Sequence, residues 1–95
     1  MVEEIFMLEV KPGTERSFEN TFNESTNIMR QAEGFLGAEL RGCIEQENKY
    51  LVTVSWNVEA HVDGFKNSAA FQEMKALLSP FYLNLPQVEH YKYVK

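Results

Sequence analysis

Residues 2–34 read VEEIFMLEVKPGTERSFENTFNESTNIMRQAEG, and within them the spacing of apolar side chains changes from one regime to another. Ile5, Phe6, Met7, Leu8 and Val10 form a short apolar run that stops at Lys11, Pro12 and Gly13, which predicts a buried strand and a turn. From Thr14 onward Phe18, Phe22, Ser25, Met29 and Ala32 are spaced four, three, four and three apart, the stripe of an amphipathic helix. Thr14 is the expected N-cap, Glu15 suits the positive end of the helix dipole, and Gly34 is the expected left-handed C-terminal cap, with Phe35 as the hydrophobic contact that follows it. The strand carries Phe6, Leu8 and Val10 on one face and Ile5 and Met7 on the other. Helices can cover only the first of these faces, so the second needs a cover of its own.

Downstream, residues 35–45 and 49–56 read as two strands joined across the polar tip Glu45, Gln46, Glu47, Asn48. Tyr50, Val52, Val54 and Trp56 share one face of the second, and Leu51, Thr53 and Ser55 the other. Asn57 is the expected N-cap of a helical segment carrying Val58, Val62 and Phe65. Gly64 weakens that segment, and a restart near Asn67 or Ser68 puts Phe71, Met74, Leu78 and Phe81 on one side, with Pro80 marking the frayed end. Pro86 opens a last strand from Val88 to Val94, favoured by Tyr91 and Tyr93. The order β-α-β-β-α-β predicts an α+β, ferredoxin-like fold: a four-stranded antiparallel sheet with helices on one face and right-handed crossovers.

Ninety-five residues without a linker-like stretch predict one domain, residues 1–95. The formal charge of -5 is spread along the chain and no basic cluster occurs, so nucleic acid is not an expected partner. The acidic start Val2-Glu3-Glu4 is unlike a secretory signal, and no apolar run approaches the ~20 residues that cross a bilayer, so a cytoplasmic protein without a membrane partner is expected. Cys43 is the only cysteine, which excludes an internal disulfide and a thiolate metal cluster.

Particular residues then add to this pattern. Lys11-Pro12-Gly13 precedes the first helix, Gly34-Phe35-Leu36-Gly37 follows it, and Trp56 closes the third strand with Glu59-Ala60 after it. Phe65 and Ser68 precede Phe71, and Pro86-Gln87-Val88-Glu89-His90-Tyr91 forms the end strand. Across essentially its whole length the chain resembles the antibiotic biosynthesis monooxygenase family of dimeric α/β-barrel proteins. The resemblance implies a homodimer, and a family that includes oxygenases of electron-rich aromatics and quinols, haem degraders, and members without an assigned reaction. The haem-degrading branch carries an Asn, a Trp and a His ligand where this sequence has Phe6, Phe65 and Lys75. Phe and Lys do not ligate haem iron as that His does, so haem degradation is not expected and no cofactor or metal is implied.

Two function classes follow. The resemblance implies a cofactor-independent monooxygenase of a small electron-rich aromatic, a polyphenol or quinol, whose pocket lies between helices and sheet. The alternative is a non-catalytic dimeric protein of the same fold that binds a small ligand or a partner. His61, on the second helical region, and His90, on the last strand, are the candidate bases, since an imidazole can accept a phenolic proton. A lone His on a helix is ordinarily a surface residue, and one on a strand ordinarily belongs to a sheet or an interface. Trp56, His61, Phe65, Phe71 and Tyr82 are the candidate pocket lining, although aromatics at these spacings are also what a core requires.

Overall fold

Alternation along the first strand decides which side of the sheet becomes the core. The computed structural model describes residues 1–95. It runs β1 (Val2–Glu9), α1 (Glu15–Met29), β2 (Phe35–Gly42), β3 (Lys49–Trp56), α2 (Glu59–Lys66), α3 (Ala69–Leu78), a 3-10 turn (Ser79–Phe81) and β4 (Gln87–Lys92). The four strands form one antiparallel sheet in the order β2-β3-β1-β4, the ferredoxin-like arrangement expected from the sequence. Phe6 pairs with Val52 and Leu8 with Tyr50, so the even-numbered residues of β1 and β3 point together toward the helices.

The helix stripe is buried as its spacing predicts: Phe18, Phe22, Ser25 and Met29 are the buried residues of α1. Phe18 is fully buried, with its ring 5.0 Å from Tyr50, 5.9 Å from Phe81 and 6.4 Å from Phe22. Truncation of such a side chain typically removes about 3–5 kcal/mol of stability. Ser25 is tolerated in this layer because its hydroxyl donates to the Phe22 carbonyl at 2.7 Å.

Several boundaries differ from the sequence expectation, each for a local reason. Thr14 takes the expected N-cap position of α1, but its hydroxyl donates backward to the Lys11 carbonyl at 2.6 Å and makes no cap hydrogen bond, and Glu15 accepts from the Gly13 amide at 2.9 Å. The helix stops at Met29, and Ala32 continues the stripe only as part of the turn that follows. Gly34, at φ +80°, therefore serves that turn and not the helix end itself. Strand β2 begins with a bulge between Phe35 and Gly37 that leaves Leu36 56 % exposed, and it ends at Gly42, short of the expected Glu45. Val58 instead of Asn57 takes the N-cap position of α2, and β4 ends at Lys92 instead of Val94.

The far face of the sheet has no helix on it. Ile5 pairs with Thr53, Met7 pairs with Leu51, and Met7 is 37 % exposed.

One core contact makes stability depend on pH. The Tyr50 hydroxyl donates to Glu19 Oε2 at 2.6 Å, and burial, followed by that hydrogen bond and the Glu19 charge, raises the phenol above the usual tyrosine range. The unfolded phenol ionises near pH ~10, so the folded state keeps its proton longer and stability falls as pH rises past that value. Urea denaturation between pH 8 and 11 should show this fall. Tyr50→Phe should lessen it, leaving the slope due to Tyr82, raised by burial, and Tyr91, raised by its hydrogen bond to Glu89.

Candidate functional site

The division of the second helical region creates the wall of a cleft. Ser68 ends the break: its hydroxyl donates to the Phe65 carbonyl at 2.5 Å and accepts the Phe71 amide at 3.2 Å, capping α3. Phe65 closes α2 and Phe71 opens α3, so the two rings meet edge to face at 5.8 Å and 87°. Beside them lies a cleft of about 200 Å³, bounded by Glu4 and Phe6 of β1, Met29 of α1, Val62 and Lys66 of α2, Met74 of α3, and Val88 and His90 of β4.

Most of this lining is apolar, and its polar part is organised around Glu4. The β1–β4 register sets Glu4 opposite His90, and His90 Nε2 lies 3.0 Å from Glu4 Oε2. The other carboxylate oxygen accepts from Trp56 Nε1 at 3.3 Å. The Glu4 side chain is only 12 % exposed and that of His90 is 43 % exposed, so the pair runs from the core to the cleft mouth. His90 thus lies on the helix side of the sheet.

The five side chains expected to line a pocket fall into four settings. Phe65 and Phe71 border the cleft. Trp56 is fully buried one layer behind, 5.3 Å from Phe65 and 5.8 Å from Phe35. Tyr82 lines a narrower apolar gap of about 30 Å³ that shares Phe6, Met29 and Met74 with the cleft. His61 lies against Gly34 instead: its Nε2 is 3.5 Å from Glu33 Oε1, and its Nδ1 is buried without a hydrogen-bond partner. Glu4, Phe6 and Lys66 were not expected at the cleft from sequence, although period-two alternation puts Glu4 on the same face as Phe6 and Leu8.

Three other grooves are larger. One of about 540 Å³ runs between α1 and β2, one of about 280 Å³ lies beside Glu9 and Leu85, and one of about 270 Å³ lies beside Gln31, Gly64 and Ser68, but none brings a histidine to an aromatic wall. No three His, Cys, Asp or Glu side chains converge on a metal-sized position. No helix is long and apolar enough to cross a membrane.

The profile of the antibiotic biosynthesis monooxygenase family matches residues 1–77. The chain belongs to this family. The uncharacterized protein YczJ of Bacillus subtilis strain 168 is 41 % identical over 93 residues, covering 97 % of this chain and 98 % of YczJ. The crystal structure of an antibiotic biosynthesis monooxygenase homologue from Bordetella bronchiseptica is 30 % identical and superposes with a TM-score of 0.93, over 99 % of this chain and 97 % of that one. SnoaB, a cofactor-independent oxygenase from Streptomyces nogalater, shares the fold with a TM-score of 0.88 over 99 % of this chain and 93 % of its own, at 15 % identity.

In this member of the monooxygenase family the α1–β2 turn depends on a missing side chain. A Cβ at Gly34 would overlap the His61 imidazole, and the backbone there is left-handed. The conformation alone costs an alanine about 1–2 kcal/mol, and the overlap adds to it. Gly34→Ala should therefore destabilise the protein in urea titrations, and adding His61→Ala should recover the part due to the ring, leaving the overlap with the Cβ of residue 61 at 2.7 Å. Equal losses in the single and double variants would mean that the imidazole is not the obstacle.

Proposed function

We propose that the protein is a cofactor-independent monooxygenase that oxidises a small electron-rich aromatic, a polyphenol or quinol, in the cleft beside Phe65 and Phe71. The observation that carries this reading is His90 at the mouth of an aromatic-walled cleft, backed by a carboxylate. Family membership and the fold shared with an oxygenase support it.

The phenol ring packs against Phe65 and Phe71, and His90 takes the hydroxyl proton. The resulting phenolate passes an electron to dioxygen, and the radical pair combines at a ring carbon to give a peroxide. Loss of water from that peroxide leaves a quinone, so one oxygen atom enters the product, the other leaves as water, and the substrate supplies all four electrons. Apolar walls serve the first step by excluding water from the phenolate. His61 is the weaker candidate for the base, because it packs on Gly34 beside Glu33. Trp56 acts from behind Phe65, holding that ring in place.

The second reading is a non-catalytic dimeric binder of a small aromatic. The 43 % exposure of His90 favours it, since water then shares the mouth of the cleft. Oxygen uptake with dihydroxynaphthalenes, anthrones and quinols separates the two. Turnover above a heat-denatured control is expected, with His90→Ala lowering kcat by roughly 10²-fold and His61→Ala changing it little. Uptake at the control level across the whole panel would leave the binder.

Both readings include a homodimer, formed by placing the two open sheet faces together over Ile5, Met7 and Leu51. Exposed apolar side chains on a helix-free face support it. An interface of this kind buries on the order of 2,000 Å² in total. Light scattering at micromolar concentration should give twice the 11.0 kDa chain mass, and Ile5→Asp should shift it toward the single chain. A single-chain mass for the unaltered protein would refute the pairing.

A further inference from the structure

We propose that Glu4 is the positioning residue of the cleft: its carboxylate, anchored by Trp56, holds His90 as the Nε2–H tautomer and leaves Nδ1 as the atom that accepts a ligand's proton. The catalytic consequence rests on the reading of His90 as the base. The tautomer assignment stands on the geometry alone.

The indole imposes the first constraint. Trp56 is fully buried, and its Nε1–H is a donor with no acceptor capacity, so the folded chain has to supply an oxygen. Glu4 Oε1 is that oxygen, at 3.3 Å. This fixes the carboxylate plane and leaves Oε2, 3.0 Å from His90 Nε2. An ionised carboxylate only accepts, so the nitrogen facing it carries the hydrogen, and in the neutral ring the lone pair then belongs to Nδ1. When Nδ1 takes a proton the ring becomes a double donor and the contact with Glu4 strengthens instead of breaking. The base can therefore cycle between its two states without losing its orientation.

Other charges near the pair are few. Lys66 of α2 borders the same cleft, and Lys92, opposite Val2, shares the helix-side face of β4 with His90. The cleft-lining residues of α3, Phe71 and Met74, carry no charge. His61 has no equivalent support, since its carboxylate neighbour Glu33 is 90 % exposed.

The test exploits the two donors that Glu4 serves. Glutamine at this position has one acceptor and one donor end. With its oxygen on Trp56, its amide NH2 faces His90, which must then accept at Nε2 and carry its hydrogen on Nδ1. Long-range proton–nitrogen correlation spectra of the neutral imidazoles, assigned with His61→Ala, read this directly. The unaltered protein should show His90 as the Nε2–H form, and Glu4→Gln should convert it largely to Nδ1–H without changing the His61 signals. Adding Trp56→Phe frees the glutamine oxygen to turn toward His90 and should restore Nε2–H. If that core double variant does not fold, Glu4→Ala should give a mixture of tautomers. An Nδ1–H ring in the unaltered protein, or a tautomer indifferent to Glu4→Gln, overturns the proposal.

Kinetics supplies the second arm. With any phenol that is oxidised, Glu4→Gln should lower kcat roughly tenfold or more and leave KM within about twofold. Absence of turnover in the unaltered protein, with the tautomer pattern as stated, would sink the monooxygenase reading and leave the assignment of Glu4 standing. Turnover with a tautomer that ignores Glu4 would do the reverse.

Discussion

A buried indole nitrogen governs the arrangement of this molecule. Trp56 ends β3 with no exposed surface, between Phe35 and Phe65, where burying its large ring favours folding but stranding its N–H would cost about 1–3 kcal/mol. Glu4 removes that cost, and in doing so brings a carboxylate into an otherwise apolar layer. A carboxylate so placed needs further donors, and the antiparallel register of β1 with β4 presents His90 directly opposite. Packing, polar satisfaction and strand register thus converge on one histidine. A slip of one residue in β4 would turn it to the other face of the sheet.

The helices complete the site through a gap in their own continuity. A single unbroken helix from Glu59 to Leu78 would carry its side chains past the end of the sheet at a constant angle. The cap at Ser68 instead lets α3 start afresh, which makes Phe65 and Phe71 adjacent corners of one wall. Because every residue of β4 is exposed, the wall is open on that side, and this is where the cleft lies.

Much of this was legible from residue spacing. The stripe Phe18, Phe22, Ser25, Met29, the face Tyr50, Val52, Val54, Trp56 and the break before Ser68 are local patterns whose period the chain obeys. Gly34 was harder. A glycine after a helical stripe reads as its cap, but the glycine here answers to His61, twenty-seven residues on, a contact that no local pattern records. The bulge at Leu36 escaped for a related reason, since an extra residue in a strand shows only when its partner's register is known. Glu4 was hidden in plain view: beside Glu3 it looks like a solvated charge, yet alternation from Phe6 and Leu8 puts it on the core face. A charge on the buried side of a strand is a signal in itself, because it persists only where donors meet it.

The same geometry explains why the family is easier to read than the substrate. What defines the fold, the sheet order and the aromatic core, lies behind the cleft, whereas the cleft's depth is set by Phe6, Met29 and Met74, which also border the narrower gap leading to Tyr82. Methionines are unbranched and adapt their shape to what they touch, so this boundary can shift with modest cost while the polar pair stays fixed. Two demands therefore fall on different residues. Under the proposed function, Glu4 and His90 set where a hydroxyl is held, and the floor sets how large a ring system accompanies it. A superposition at 15 % identity accordingly carries architecture and no substrate.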